Sequence, residues 1–104
     1  MIPRGLLARP VAHRGLHSPG VPENSMAAFR AAIDAGYGIE MDIQPASDGT
    51  PLVFHDDELF RLTGASGPIA GVSVAQAAGL RLLQTDEAIP TLADVLAFVA
   101  GRVP

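Results

Sequence analysis

A chain of 104 residues, 48% hydrophobic and 17% charged, has the composition of a globular protein that can bury one modest core, a single domain at most or part of one. Its formal charge of -4 excludes the clustered Lys and Arg of a nucleic-acid or anionic-membrane surface, so an anionic substrate would have to be drawn in locally, by a metal or by Arg14. The absence of cysteine removes disulfides, thiolate nucleophiles and Cys-based zinc sites.

The first ten positions, Met1 to Pro10, carry Arg4 and Arg9 but no sustained apolar run before a small-residue cleavage site, and the expectation is a cytoplasmic protein. Pro10-Val11-Ala12 then leads into His13 as a short buried strand, ended by Gly15. After a loop with Pro19, Gly20 and Pro22, either Asn24 or Ser25 is placed to cap a helix. Its apolar positions Met26, Phe29, Ala32 and Ile33 recur at helical spacing, and Gly36 and Gly38 supply its stop.

Gly38 to Ile43 reads as one strand with Ile39, Met41 and Ile43 on one face and the carboxylates of Glu40 and Asp42 on the other. Asp48-Gly49 is a hairpin signal and Leu52-Val53-Phe54 the returning strand, too close for a helical crossover, so an antiparallel arm is expected. A turn centred on Asp48-Gly49 sets His55 opposite Asp42 and close to Glu40. Beyond Asp56 the pattern weakens. Thr63 to Pro68 reads as a loop, Val74 to Leu80 as a short helix, and Pro90-Thr91 opens a longer helix with Leu92, Val95, Leu96 and Val99 as its buried stripe. The charge-free run Gly67 to Leu80, punctuated by Pro68, Gly71 and Gly79, is too short to span a bilayer, so stable membrane insertion is not expected.

Each chemical group falls where a strand ends or passes: His13-Arg14, Glu40-x-Asp42 and His55-Asp56. Singly, each has a plain reading, as a structural turn or a solvated strand face. Together they offer two imidazoles for proton transfer, a forked guanidinium for phosphate oxygens, and two inward carboxylates that repel unless a cation neutralises them. Hard oxygen ligands of that kind suit Mg²⁺ or Ca²⁺. This is the inventory of a metal-assisted phosphodiester hydrolase. His17, in a Pro/Gly-rich loop with no strand to aim it, is expected on the surface.

Read in order, H-R-G, P-E-N-S, E-x-D-I, D-G, L-V-F-H-D, then Leu59, Arg61 and Thr63, and finally Ile89-Pro90-Thr91-Leu92-x-x-Val95-Leu96, the chain resembles the N-terminal signature of the glycerophosphodiester phosphodiesterase family. The resemblance implies an α/β fold, the N-terminal part of a TIM (β/α)8 barrel with an antiparallel hairpin arm after the second strand, residues 1–104 forming a partial domain. It implies Glu40 and Asp42 as metal ligands, His13 and His55 as the acid/base pair, Arg14 as phosphate binder and Glu23 as a residue orienting its neighbours. Ser25 stands where the family often has threonine. The implied reaction is metal-dependent hydrolysis of a small-molecule glycerophosphodiester to sn-glycerol 3-phosphate and an alcohol.

A related phospholipase-type phosphodiesterase and a non-catalytic fragment are the competing readings. The family's third acidic ligand and its nearby lysine, expected on the next strand, do not occur in these residues. With two strands of a barrel, the expectation is self-association through unclosed edges, partial exposure of Phe29, Ile33, Leu92, Leu96 and Phe98, and little activity from the chain alone.

Overall fold

Residues 10–102 are described by the computed structural model; Arg4, Arg9 and the rest of the segment read for targeting lie outside the described residues, Pro10 apart. The chain begins with a β-α-β unit. Strand β1 (Val11–His13) pairs parallel with β2 (Gly38–Glu40), in a register that sets His13 beside Glu40, and helix α1 (Met26–Ala35) makes the crossover. Ser25 caps α1, its hydroxyl oxygen accepting the Ala28 amide at 3.1 Å, and Gly36 closes it in the left-handed conformation at φ 74°. Ala28, Phe29 and Ala32 form the buried face.

The stretch expected as one strand from Gly38 to Ile43 is two. β2 stops at Glu40, Met41 and Asp42 are irregular, and β3 (Ile43–Pro45) pairs antiparallel with β4 (Pro51–Val53). The break aims successive side chains differently from a continuous pleat. Ile39 and Met41 pack inward against Phe29, Val53 and Val95, while Ile43, expected beside them, is 49% exposed.

The hairpin register differs by one residue from the sequence expectation. Five residues, Ala46 to Thr50, separate the paired positions Pro45 and Pro51, so the turn is centred on Asp48 alone. Asp48 accepts the Thr50 amide at 2.9 Å, and Gly49 takes φ 89°, a conformation that side chains disfavour. The Phe54 amide therefore donates to the Asp42 carbonyl at 2.9 Å. His55 is carried past Asp42 to the level of Met41.

Strand β4 and Phe54 run between two apolar clusters. Val53 joins Phe29 and Val95 on the side of the β-α-β unit; Leu52 and Phe54 join Leu59, Leu62, Ile69, Val72, Ala77, Leu82 and Ile89 on the other. Burial on both faces explains an unbroken apolar run instead of alternation.

The second cluster is assembled from short pieces with little periodicity: α2 (Phe60–Thr63), α3 (Val74–Gly79), and single 3₁₀ turns at Ile69–Gly71 and Leu82–Gln84. A capping box of Ser73 and Gln76 starts α3. Helix α4 (Leu92–Val99), capped by Thr91, is held to the hairpin through the Val53 amide and the Pro90 carbonyl at 2.9 Å.

Of the residues expected to stay partly exposed, Leu96 is 58% exposed, and so is no part of the buried stripe of α4, whereas Phe29 is wholly buried. Phe98 lies between the guanidinium groups of Arg30 and Arg102, at 5.5 and 5.1 Å. No helix among the described residues is long and apolar enough to cross a membrane.

Candidate active site

The end of β1 is bent sharply. Arg14 has a left-handed φ of 58° and Gly15 follows at φ 76°, with its amide directed at the Ala12 and Glu40 carbonyls. A Cβ on Gly15 would sit 2.8 Å from the Cβ of Ala28, so glycine is required both by conformation and by the approach of α1. Asn24, just before α1, is also left-handed at φ 55°, and its amide donates to the Arg14 carbonyl at 2.8 Å. Two non-glycine residues in this region, tied to each other, represent stored backbone strain of about 1 to 3 kcal/mol each.

The bend brings most of the expected groups together. His13 Nε2 lies 3.1 Å from Glu40 Oε2, as the parallel register requires. Arg14 Nη1 donates to Glu23 Oε2 at 2.9 Å, and its Nε lies 3.6 Å from Asp42 Oδ2, too far for a hydrogen bond. That Nε is a buried donor without an acceptor among the described residues. Asp42 is grasped on both sides by Asn24, whose Nδ2 donates to Oδ2 at 3.2 Å and whose Oδ1 accepts the Asp42 amide at 3.4 Å.

His55 does not fall opposite Asp42. Its Nδ1 lies 2.8 Å from Asp56 Oδ1, and neither Glu40 nor Asp42 is within hydrogen-bonding reach of its ring among the described residues. The one-residue shift in the hairpin is the physical reason. His17 is exposed, as expected.

Glu23, expected to orient its neighbours, is almost fully buried between two arginines. Arg61 donates from Nη1 and Nη2 to its two oxygens, each at 2.9 Å, and Arg14 adds the third bond. Burial raises the Glu23 carboxyl, but the hydrogen bonds and charges of Arg61 and then Arg14 outweigh it, and the group titrates below its ordinary value. Arg61 grips Asp56 with its other edge, Nε to Oδ2 at 2.7 Å and Nη2 to Oδ1 at 3.0 Å. Those bonds bring the Asp56 carboxyl down to about 2, against opposing burial and with help from His55. The guanidinium of Arg61 is correspondingly stabilised in its charged form by Asp56 and Glu23.

Asn24 and Arg61 were not among the expected site residues. Asn24 was legible only as a possible cap, and Arg61 only as part of the family-like signature. Their partners lie 5 to 38 positions away, outside any local periodicity.

Two carboxylates of the site are available to a divalent cation. Glu40 and Asp42 supply hard, partly exposed oxygens, at 39% and 29% side-chain exposure, from adjacent points of one chain segment. They suit Mg²⁺ or Ca²⁺ in kind and form part of a coordination shell; no cluster of three or more His, Cys, Asp or Glu able to hold a metal occurs among the described residues.

The chain is similar to known proteins in both sequence and fold. Residues 13–103 match the model of the glycerophosphoryl diester phosphodiesterase family, and the chain belongs to that family. It is 40% identical over 95 residues to glycerophosphodiester phosphodiesterase 1 of Rattus norvegicus, a match covering 83% of this chain and 28% of the relative. It is 35% identical over 99 residues to glycerophosphodiester phosphodiesterase of Caldanaerobacter subterraneus subsp. tengcongensis, covering 88% and 40%.

Among solved structures, the glycerophosphodiester phosphodiesterase of Agrobacterium tumefaciens superposes with a TM-score of 0.83 at 29% identity, over 91% of this chain and 44% of that one. A phosphodiesterase of Oleispira antarctica in complex with the product sn-glycerol-3-phosphate superposes with a TM-score of 0.81 at 32% identity, over 90% and 40%. The chain thus spans less than half the length of each of these four.

Proposed function

We propose that this chain forms the N-terminal part of a TIM-barrel phosphodiesterase that hydrolyses glycerophosphodiesters to sn-glycerol 3-phosphate and an alcohol. The observation that carries the reading is the in-register pairing of His13 with Glu40, which puts an imidazole, a part-exposed guanidinium and two carboxylates at neighbouring strand ends. Family membership and the product complex of the Oleispira antarctica phosphodiesterase support the substrate class.

In this reading Arg14 receives the phosphate. Glu23 holds the guanidinium through Nη1, and the part-exposed Arg14 side chain supplies the positive charge for an anionic oxygen. His13 and His55 exchange a proton with the attacking water and the departing alcohol oxygen, so that the diester and one water give a monoester and one alcohol. Glu40 and Asp42 would hold Mg²⁺ or Ca²⁺, which when bound supplies Lewis-acid polarisation of the phosphoryl oxygens. Asn24 holds Asp42 by one hydrogen bond to its carboxylate and one from its backbone amide, which limits the rotation of the side chain.

The test is release of glycerol 3-phosphate from glycerophosphocholine with Mg²⁺ or Ca²⁺, on this chain and on a chimera in which it replaces the matching segment of the Caldanaerobacter relative. The chain alone is expected to turn over little. The chimera is expected to be active, and Glu40→Ala or Asp42→Ala to abolish its metal-dependent rate. His13→Ala and His55→Ala should each cost at least ~10² in rate, while His17→Ala stays near wild type. Activity that survives Glu40→Ala or Asp42→Ala with an unaltered metal requirement would refute the ligand assignment.

A further inference from the structure

The geometry points to Arg61 as a positioning residue that, through Asp56, holds the His55 ring with its proton on Nδ1 and leaves Nε2 unprotonated for proton transfer. This deepens the proposed function and rests on His55 being one of its acid/base groups. At neutral pH Asp56 is a carboxylate and only accepts, so in the 2.8 Å contact with Oδ1 the neutral His55 ring must carry its hydrogen on Nδ1. A solvated histidine side chain favours the hydrogen on Nε2, so the contact selects the less common tautomer.

The selection is effective only if Asp56 cannot turn away. Arg61 fixes both of its oxygens, at 2.7 and 3.0 Å, in a forked pair. Arg61 is itself fixed, because its other edge is forked onto Glu23 at 2.9 Å twice, and Glu23 is anchored by Arg14. The guanidinium is therefore a rigid spacer between two carboxylates, one serving Arg14 and the other His55.

The remaining polar neighbour of His55 acts on its backbone. Gln44 Nε2 donates to the His55 carbonyl at 3.0 Å and to Asp57 Oδ1 at 3.1 Å, which holds the segment and directs the Asp57 charge to Gln44. The ring's Nε2 has no hydrogen-bond partner among the described residues, and the side chain is 41% exposed, so this nitrogen is open to a ligand. A tether serving stability alone would not need a bidentate grip on the one carboxylate that selects the tautomer.

The test reads the imidazole nitrogens directly, by long-range ¹H–¹⁵N correlation on the 104-residue chain at a pH where the rings are neutral. His17, on its exposed loop, is the internal reference. The expected result is His55 mainly in the Nδ1–H form and His17 mainly in the Nε2–H form. Asp56→Asn and Arg61→Met should move His55 toward the His17 pattern, with Arg61→Lys intermediate, since an ammonium keeps the charge but not the fork.

A wild-type His55 with the same pattern as His17 overturns the proposal without any variant. So does an unchanged His55 in Arg61→Met that keeps the wild-type circular dichroism. None of these readouts requires turnover, so they separate failure of the positioning role from failure of the diesterase reading, which the chimera assay tests.

Discussion

Glu23 is the carboxylate on which the arginines of the site depend. Replacing it by glutamine keeps the shape but leaves two guanidinium groups facing each other with one neutral acceptor between them, at a site only 8% exposed. Glu23→Gln is expected to lower unfolding free energy by about 1 to 2 kcal/mol, since the charged partner of the part-exposed Arg14 and the half-exposed Arg61 is removed while both cations remain. A urea midpoint within error of wild type would contradict this.

The same network sets an acid limit. Glu23 and Asp56 both titrate below their ordinary values of 4.5 and 3.8 when folded, Asp56 near 2. The folded chain thus binds fewer protons than the unfolded one in this range. The stabilisation is present above the ordinary values and is lost as pH falls through the folded ones. Urea midpoints should therefore decline between about pH 5 and pH 2, and Arg61→Met, which removes the cation serving both carboxyls, should flatten that decline.

At the level of elements, the turn after β1 is the least tolerant of change. Gly15→Ala meets two costs, the positive φ and the 2.8 Å approach to Ala28, and is expected to destabilise by at least ~2 kcal/mol. Ser25→Ala removes the cap of α1 and the hydroxyl's bond to the Pro22 carbonyl, with no backbone strain or clash, and should cost about 1 kcal/mol. Thermal unfolding of the two variants should rank them in that order.

Both features were readable from local chemistry: a Gly after H-R, and a hydroxyl before a helical period. So were α4 and the antiparallel hairpin. The hairpin register was misread because a five-residue connection and a four-residue one carry the same Asp-Gly signal, and one position of slip moves His55 away from Asp42. The break at Met41 and Asp42 was invisible for a related reason. It follows from Asn24 holding Asp42 across 18 residues, and no local alternation records that pairing. The cluster around Leu59, Leu62, Ile69 and Leu82 escaped notice because its helices are one or two turns long, too short to display a period.

For the molecule as a whole, β4 is the shared wall of both apolar clusters. Phe54→Ala opens a cavity in the larger cluster and should cost about 3 to 5 kcal/mol, whereas Val53→Ala disturbs the smaller one and should cost less. The strands of the β-α-β unit pair only with each other among the described residues, and Val11, Ile43 and Leu96 are 46%, 49% and 58% exposed. We expect the isolated chain to self-associate through these surfaces, seen as a sedimentation coefficient that rises with concentration; a monomer at all concentrations would contradict it.

One long-range contact offers a view of how the two halves stay joined. The Ala27 amide, in the first turn of α1, donates to Glu87 Oε1 at 2.9 Å across 60 positions of sequence. First-turn amides have no acceptor within their own helix and ordinarily exchange their hydrogen with solvent quickly. Here a side chain from the far end of the chain shields one, so the deuterium uptake of Ala27 is a clock for the undocking of residues 82–90, which separates from the clock of α1 itself.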